Sequence, residues 1–389
     1  MKLVFFTHPE FIHSQSMSRY ARMLADGMKE RGHEVHVLQP VPVFYKLRSP
    51  GKIKKWLGYI DQYFIFPMKA RKLIQALPSD TIFVFTDHAL GPWVPLIKNR
   101  PHIIHCHDFL AQRSAKREIP ENFTGLSGRL YQAFIRWGYR RGKNFISVSN
   151  KTREDLHKFL PSLPSISEVI YNGLNQTFKE IEPTDARRLF SQKARLDLSG
   201  GYLLHVGGNQ WYKNRLGVIE LYNALQNQSN LKLPLLLIGT EPSDELKKAY
   251  GISPFREHIH FLTNIDDKSV QLAYAGASVF LFPSLAEGFG WPIAEAMASG
   301  CPVITTNETP MTEVAGASAF FIKRKPANKE QVEEWAAEGA KVIQQVLQLT
   351  SPERREVIKK GFININRFAS EDALNRIEKI YQHIYSNKK

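Results

Sequence analysis

The sequence predicts an α/β protein made of two Rossmann-like, doubly wound domains. Three observations carry this. The chain has 389 residues, more than one hydrophobic core usually organises. Short apolar runs alternate with helical periodicities, the pattern of βαβ units on a parallel sheet. The alternation comes in two series, separated by a polar stretch at residues 172–199.

The elements follow in order. Residues 2–7 form an apolar run, and Met17, Tyr20, Ala21, Leu24 and Met28 then recur at spacings of three and four, which is one face of a helix. Gly32 ends that helix, and residues 35–38 read as the next strand. Further strands are expected at 81–86, 102–105 and 145–149, with helices at 89–98, 128–141 and 152–160. The second series has strands at 202–206, 234–239, 258–262, 278–282, 302–305 and 319–322. Its helices are expected at 214–226, 243–250, 267–275, 292–298 and 310–315. From residue 328 the tail reads as helical to the end, with breaks at 351–352 and near 367. Leu374, Ile377, Tyr381 and Ile384 form a stripe that must bury against one of the domains. In open α/β sheets ligands collect at the carboxyl ends of the strands. Two such ends facing each other would form a cleft, with a hinge at 172–199.

Composition narrows the class. Hydrophobic residues make up 43% and charged residues 23%, which excludes a disordered chain. The two cysteines, Cys106 and Cys301, are too few and too far apart for a disulfide framework or a zinc cluster. No run reaches the length of a spanning helix, and the short apolar start followed by His8 and Pro9 does not read as a signal peptide. A cytoplasmic protein is expected. The formal net charge of +15 favours anionic partners: phosphates, nucleic acid or an anionic membrane face.

The densest chemistry lies at 282–300. An apolar strand runs into Glu287-Gly288-Phe289-Gly290, and Pro292 suits the first turn of a helix. Free N–H groups at that helix start attract phosphate. Glu287 and Glu295 bracket the loop and are placed to accept hydrogen bonds from sugar or ribose hydroxyls. A turn glutamate and a helix-stabilising glutamate are the plainer alternatives. A second strand meets Gly207-Gly208, followed by Asn209, Lys213 and Arg215. Cations at a helix start are explained by a bridging diphosphate, or else are simply solvated. Neither a Walker loop nor a G-x-G-x-x-G fingerprint is present. At the end of a first-domain strand stand His105, His107 and Asp108. His105 and His107 share a face in an extended strand. With no third His or Cys beside them, hydrogen bonding of His107 or Asp108 to a substrate hydroxyl is preferred over metal binding. Asp87, at a similar strand end, is a candidate for orienting an acceptor hydroxyl.

These residues are similar to a known family. Glu287 and Glu295, with Phe282-Pro283-Ser284, Gly288-Phe289-Gly290, Pro292, Ala296, Gly300 and Pro302-Val303-Ile304, resemble the E-x7-E signature of retaining family-4 glycosyltransferases, the glycosyl transferases group 1, which have the two-domain GT-B fold. Residues 170–174 resemble the family's interdomain crossing. The resemblance implies two Rossmann-like domains facing across a cleft, with the C-terminal helix crossing back to the first. It implies an acceptor-binding domain at 1–171 plus 367–389 and a nucleotide-sugar donor domain at 172–366.

It also implies roles. Glu295 would bind the ribose hydroxyls, and Glu287 would contact the donor sugar near the reacting centre. Gly288, Phe289 and Gly290 would offer backbone N–H groups, and Lys213 would bind the diphosphate. The family's neighbouring arginine is replaced by Asn209, with Arg215 as a substitute. Gly208 lies in the same turn. Leu262 and Asn264 fall in the segment that reads the base, and His107 matches a histidine that contacts the donor sugar. Ser14 and Gln15 lie in the acceptor loop, which lacks the usual glycine pair, and join Asp87 and Asp108 as acceptor-side candidates.

The function so implied is metal-independent, retaining transfer of a hexose from a nucleoside-diphosphate sugar, with UDP, GDP or another nucleoside diphosphate open as the carrier. No tightly bound cofactor is expected. The acceptor would be a glycan, lipid-linked or small-molecule hydroxyl in glycan, glycolipid or polysaccharide synthesis. A nucleotide-sugar epimerase or a phosphorylase-like enzyme is the alternative on the same fold, although no phosphorylase cofactor lysine motif is seen. A basic nucleic-acid-binding protein is the alternative of another class, but no recognised module is present. Lys46, Arg48, Lys52, Lys54 and Lys55 precede a run of aromatics from Trp56 to Phe66. Peripheral contact with an anionic inner membrane face is therefore expected as well.

Overall fold

The computed structural model describes residues 1–12, 15–97, 99–174, 180–229 and 231–387, and the side chains of 12, 15, 16 and 52 are also outside the description. The chain forms two compact units. One comprises Met1–Ile119, Phe123–Asn175 and Ser370–Lys389, and the other Pro120–Asn122 and Gln176–Ala369.

The first unit begins β1 (Lys2–Phe6), α1 (Gln15–Glu30) and β2 (Glu34–Leu38). Helix α2 (Gly51–Ile60) runs through a π-helical turn, Asp61–Ile65, into α3 (Phe66–Ala76). Then come β3 (Ile82–Phe85), β4 (His102–Cys106), α4 (Leu110–Ala115), α5 (Leu126–Tyr139), β5 (Asn144–Ser147), α6 (Asn150–Phe159) and β6 (Ile166–Val169). The six strands are parallel, in the order β2-β1-β3-β4-β5-β6. Leu3 to Phe6 and Ile82 to Phe85 are all buried. That burial on both faces is why these strands read as unbroken apolar runs rather than as alternation.

The structure differs from the expectations at three places. Residues 89–98 do not form an α-helix. His88–Leu96 is a 3-10 helix, because Pro92 and Pro95 remove two backbone donors and Asp87 caps its start at the Ala89 N–H. Helices α2, α3 and α4 and the short edge strand β6 stand outside the expected elements. The polar stretch at 172–199 is not a plain linker, since it contains a twelve-residue helix.

That helix is α7 (Pro183–Ala194), which opens the second unit with Pro183 at its first position and buries Ala186 and Phe190. The unit continues with β7 (Leu203–Val206), α8 (Arg215–Gln228), β8 (Leu235–Ile238), α9 (Asp244–Ile252), β9 (Ile259–Leu262) and α10 (Asp267–Gly276). It ends with β10 (Val279–Phe282), α11 (Trp291–Ala298), β11 (Val303–Thr306), α12 (Met311–Ala315), β12 (Phe320–Ile322), α13 (Val332–Leu347) and α14 (Ser351–Ile365). Its parallel sheet has the order β12-β11-β10-β7-β8-β9. Thr350 and Glu353 close a capping box at the predicted break before α14.

The last helix, α15 (Ser370–Ser386), belongs to the first unit. Its stripe of Leu374, Ile377, Tyr381 and Ile384 is buried. The approach to α1 is close: a Cβ on Gly27 would lie 2.6 Å from a Leu374 methyl group, so a larger residue there would require Leu374 to shift. Tyr381 donates or accepts at His105 Nε2, 2.9 Å away, and the Tyr20 hydroxyl of α1 meets the other ring nitrogen at 2.8 Å.

Candidate functional site

In each sheet one place exists where consecutive connections leave in opposite directions, and ligands of open α/β folds bind there. In the second unit it lies between β7 and β10, the strands that carry both glycine-containing turns. The two loops are stitched together. Leu285 N–H donates to the Tyr212 carbonyl at 2.7 Å, and Asn214 Nδ2 donates to the Pro283 carbonyl at 2.9 Å. Thr305 and Thr306 on β11 fix the other side through the Phe282 and Ser284 carbonyls.

On this frame Lys213 Nζ donates to Glu287 Oε1 at 2.8 Å, and Ser284 Oγ donates to the same oxygen at 2.9 Å. The pair is mostly buried. Lys213 lies 5.0 Å from the centre of the Phe282 ring, which places its charge over a π face. The ammonium has three donors, so two remain for a ligand. Asn214, in the left-handed region at φ 52°, caps α8 through the Gly217 N–H. The helix thus starts at Arg215, and Lys213 stands in a 3-10 turn before it.

Opposite this turn, Gly290 sits at φ +106° as the residue preceding α11. A left-handed residue there favours glycine. Glycine has no side chain with which to cap the helix, and a helix start without such a cap is suited to an anion. Glu295 is half-buried on α11 and accepts from the Tyr274 hydroxyl at 3.2 Å. Phe289 turns its ring inward and packs edge-on against Phe368, 5.4 Å between centres. Only its backbone is therefore available for the role expected of it.

Arg215 is 5% exposed, and burial lowers its pKa. Its Nη1 donates to Asn209 Oδ1 at 2.6 Å and to the Thr240 carbonyl at 2.9 Å. Its Nε and Nη2 are buried with no hydrogen-bond partner among the described residues. Such donors are costly to leave unmet, and an oxyanion would satisfy them. Gly208 lies in the turn between β7 and this group. Leu262 closes β9, its carbonyl accepting from Gly239 N–H at 3.1 Å. Asn264 follows, exposed, at φ 56°. Both stand at strand ends on the β8–β9 side of the same sheet.

In the first unit the corresponding place lies between β1 and β3. His107 follows β4 and is buried, and its Nε2 donates to the Thr86 carbonyl at 2.8 Å. Burial lowers its pKa, so the ring is neutral, with the proton on Nε2 and Nδ1 left as an acceptor. Asp108 Oδ1 accepts from the Leu110 N–H at 2.9 Å, and burial raises its pKa. Asp87 Oδ2 meets His8 Nε2 at 2.8 Å, and His88 Nδ1 lies 3.0 Å from Oδ1. Burial alone would raise the pKa of Asp87, yet the imidazoles of His88 and His8 hold it well below the usual carboxylate range. His105 is saturated by two tyrosine hydroxyls, and the ring of one of them, Tyr20, also packs edge-on against His107. Ser14 lies outside the described residues, as does the side chain of Gln15.

His8 was not a candidate on sequence grounds. Its partner Asp87 is 79 residues away, and only the pairing of β1 with β3 brings them together. Among the described residues, no group of three His, Cys, Asp or Glu side chains is placed to hold a metal ion.

Comparison with known proteins agrees with this layout. The family model described as Glycosyl transferases group 1 matches residues 186–361, and Glycosyltransferase Family 4 matches residues 17–178. O-antigen chain mannosyltransferase B of Escherichia coli is 35% identical over 118 residues, which is 30% of this chain and only 31% of the relative. The MMP alpha-(1->4)-mannosyltransferase of Mycolicibacterium hassiacum is 32% identical over 365 residues, covering 81% of this chain and 83% of the relative. Among solved structures, Anabaena HepE in complex with UDP and glucose superposes with a TM-score of 0.72 at 16% identity, over 98% of this chain and 100% of that one. At that identity the likeness carries the fold alone.

Proposed function

The chain belongs to glycosyltransferase family 4 and is a glycosyltransferase, and from that premise we propose that it moves a hexose from a nucleoside-diphosphate sugar to an acceptor hydroxyl with retention and without a metal. The second unit is read as the donor domain and the first as the acceptor domain. One observation carries the reading: the Lys213–Glu287 pair at the strand switch point, beside the uncapped start of α11.

Breaking the bond between the anomeric carbon and phosphate oxygen puts negative charge on the departing diphosphate and positive character on the sugar ring. The remaining Lys213 donors and the positive end of the α11 dipole stabilise the departing charge. Arg215 supplies the guanidinium that Asn209 does not. Glu295 holds the ribose hydroxyls, Glu287 orients the donor sugar, and the backbone at Gly288, Phe289 and Gly290 hydrogen-bonds sugar and phosphate. Leu262 and Asn264 meet the base largely through main-chain groups. Neutral His107 accepts a sugar hydroxyl at Nδ1. The acceptor oxygen attacks the face the diphosphate leaves, and its proton passes to the leaving phosphate oxygen. Asp108, and Asp87 with His8, sit on the acceptor side. The names of the mannosyltransferase relatives support glycan or polysaccharide synthesis as the setting, and two buried thiols, Cys106 and Cys301, fit the reducing cytoplasm.

The test is calorimetric binding of UDP-, GDP-, ADP- and dTDP-hexoses, followed by nucleoside-diphosphate release with the hexose that binds. Binding of at least one, lost in Lys213→Ala, is expected. If none binds, the donor reading fails. Dependence of turnover on an added divalent cation would overturn the metal-free step.

A further inference from the structure

Outside the strand-end residues, the most unusual part of the molecule is one face of the first unit. Helix α5 exposes Leu126, Leu130, Phe134 and Trp137 at 71%, 64%, 39% and 47%. Their spacings of four, four and three place them in one stripe along the helix, on the side away from buried Ile135 and Tyr139. The neighbouring α2 and π-helical turn expose Trp56 and Phe64 at 64% and 67%. These are one surface, because a continuous series of rings joins them. Trp56 packs against Tyr59, Tyr59 stacks on Tyr131 at 5.2 Å, Tyr131 meets Tyr63, Tyr63 meets Phe134 at 5.4 Å, and Phe134 stacks on Trp137. A contiguous apolar patch left in water marks an interaction site.

Charge identifies the partner. Residues 40–79 and 122–143 together hold thirteen Lys and Arg against a single acidic residue, Asp61, and so carry twelve of the fifteen net positive charges. Asp61 is buried, its carboxylate accepting from the N–H groups of Val43, Phe44 and Tyr45. These two segments therefore hold no other carboxylate, and the remainder of the chain is close to neutral. Among the described residues no helix is long and apolar enough to cross a membrane.

We propose that this face, α5 with α2 and the π-helical turn, docks in the plane of an anionic phospholipid bilayer, its stripe in the headgroup region and its arginines and lysines on the lipid phosphates. Apolar residues exposed singly are ordinary; an aligned stripe carried on strongly basic segments matches an interfacial helix. Trp and Tyr favour that boundary because their rings are apolar with one polar atom. Arg141 stacks its guanidinium on Trp137, 4.0 Å from the ring centre, so the cation and the ring present themselves together. A nucleic acid would use the charge but leave the aliphatic Leu126 and Leu130 unexplained, and a second copy of this chain would bring the same positive charge against itself.

The experiment is co-sedimentation of the whole protein with vesicles of phosphatidylcholine containing 30% phosphatidylglycerol, against phosphatidylcholine alone, at low and high salt. Binding to the anionic vesicles, weakened by salt and absent on neutral ones, is expected, with a blue shift of tryptophan emission. The double variant R140E/R141E should weaken binding by about tenfold or more, and W137S by a few fold, with both variants retaining the wild-type circular dichroism and donor binding. No sedimentation with anionic vesicles at low salt overturns the proposal. So does equal binding to neutral vesicles, unchanged binding by R140E/R141E, tighter binding to single-stranded DNA than to vesicles, or a dimer that buries Trp137. None of these outcomes bears on the donor reading, which nucleotide-sugar binding tests separately.

Discussion

The two sheets meet the same topological opportunity with opposite chemistry. At the second unit's switch point stand an ammonium, a carboxylate and an uncapped helix start, all held by stitched loops. At the first unit's stand imidazoles and carboxylates: His8 on Asp87, with His88, His107 and Asp108 around them. The first set suits a diphosphate, and the second suits hydroxyl groups. The fold supplies the place, and residues at the strand ends supply the reaction.

The sharpest way to break this comparison is to remove the cation. Lys213→Ala should lower kcat/KM by about two to three orders of magnitude, the cost typical of losing one group that stabilises a departing charge. Glu287→Gln should lower kcat by a similar factor with little change in donor affinity. Because the two touch, the double variant should lose less than the product of the single losses. Steady-state kinetics with the bound hexose donor would show this. Fully multiplicative losses would mean that the pair does not act as a unit.

Next in size is a stability contrast between two strand histidines. His105 on β4 and His205 on β7 are both buried, and burial pulls each imidazole down to about 3. Both are neutral in the fold, whereas the unfolded chain takes up protons below about pH 6.5. Stability should hold above that value and fall steadily as the pH drops from about 6.5 towards 3. His105 satisfies the buried hydroxyls of Tyr20 and Tyr381, so His105→Leu should cost about 2–4 kcal/mol. His205 bonds only the Leu281 carbonyl, and its Nε2 has no hydrogen-bond partner among the described residues. His205→Leu should cost about 1 kcal/mol or less. Urea melts at pH 7 and pH 5 test both, and each variant should flatten the pH slope.

Much of this architecture is legible in the amino-acid sequence alone. The second unit's strands, the glycine turns and the paired glutamates lie within short windows, so local spacing reports them. The stripe of α15 is legible too, because a helix must bury one face. What local spacing does not report depends on strand pairing. His8 and Asp87 meet only because β1 lies beside β3, and the inward turn of Phe289 depends on Phe368, far along the chain. The 3-10 segment at His88–Leu96 misleads because its apolar pattern outweighs two prolines. Helix α7 is hidden by its polar surface, since only Ala186 and Phe190 mark its buried side.

A smaller effect separates binding from turnover. Glu295→Ala should weaken donor binding about tenfold, the loss of a charged hydrogen-bond acceptor for hydroxyls, with kcat largely retained at saturating donor. Calorimetry with the hexose donor and with the free nucleoside diphosphate gives the answer. If both affinities are unchanged, Glu295 serves α11 and Tyr274 rather than the ligand.

The smallest predicted effect tests the first unit directly. His8 is held at Nε2 by a carboxylate that stays ionised through the working pH range, so its ring is fixed and Nδ1 faces outward from the pair. His8→Ala should raise the acceptor KM by about three- to tenfold, the worth of one hydrogen bond, and leave the donor Kd unchanged. Asp87→Asn keeps the shape but removes the charge that orients His8, and it should reproduce the same acceptor effect. Asparagine can still cap the 3-10 helix at Ala89 but lacks the charge that Asp87 sets against His88, so this variant should in addition lose stability, whereas His8→Ala should not. An acceptor effect shared by both variants, with a stability loss in only one, is what separates a positioning pair from a structural one. If donor affinity falls in His8→Ala while the acceptor KM holds, the contrast drawn between the two switch points is wrong.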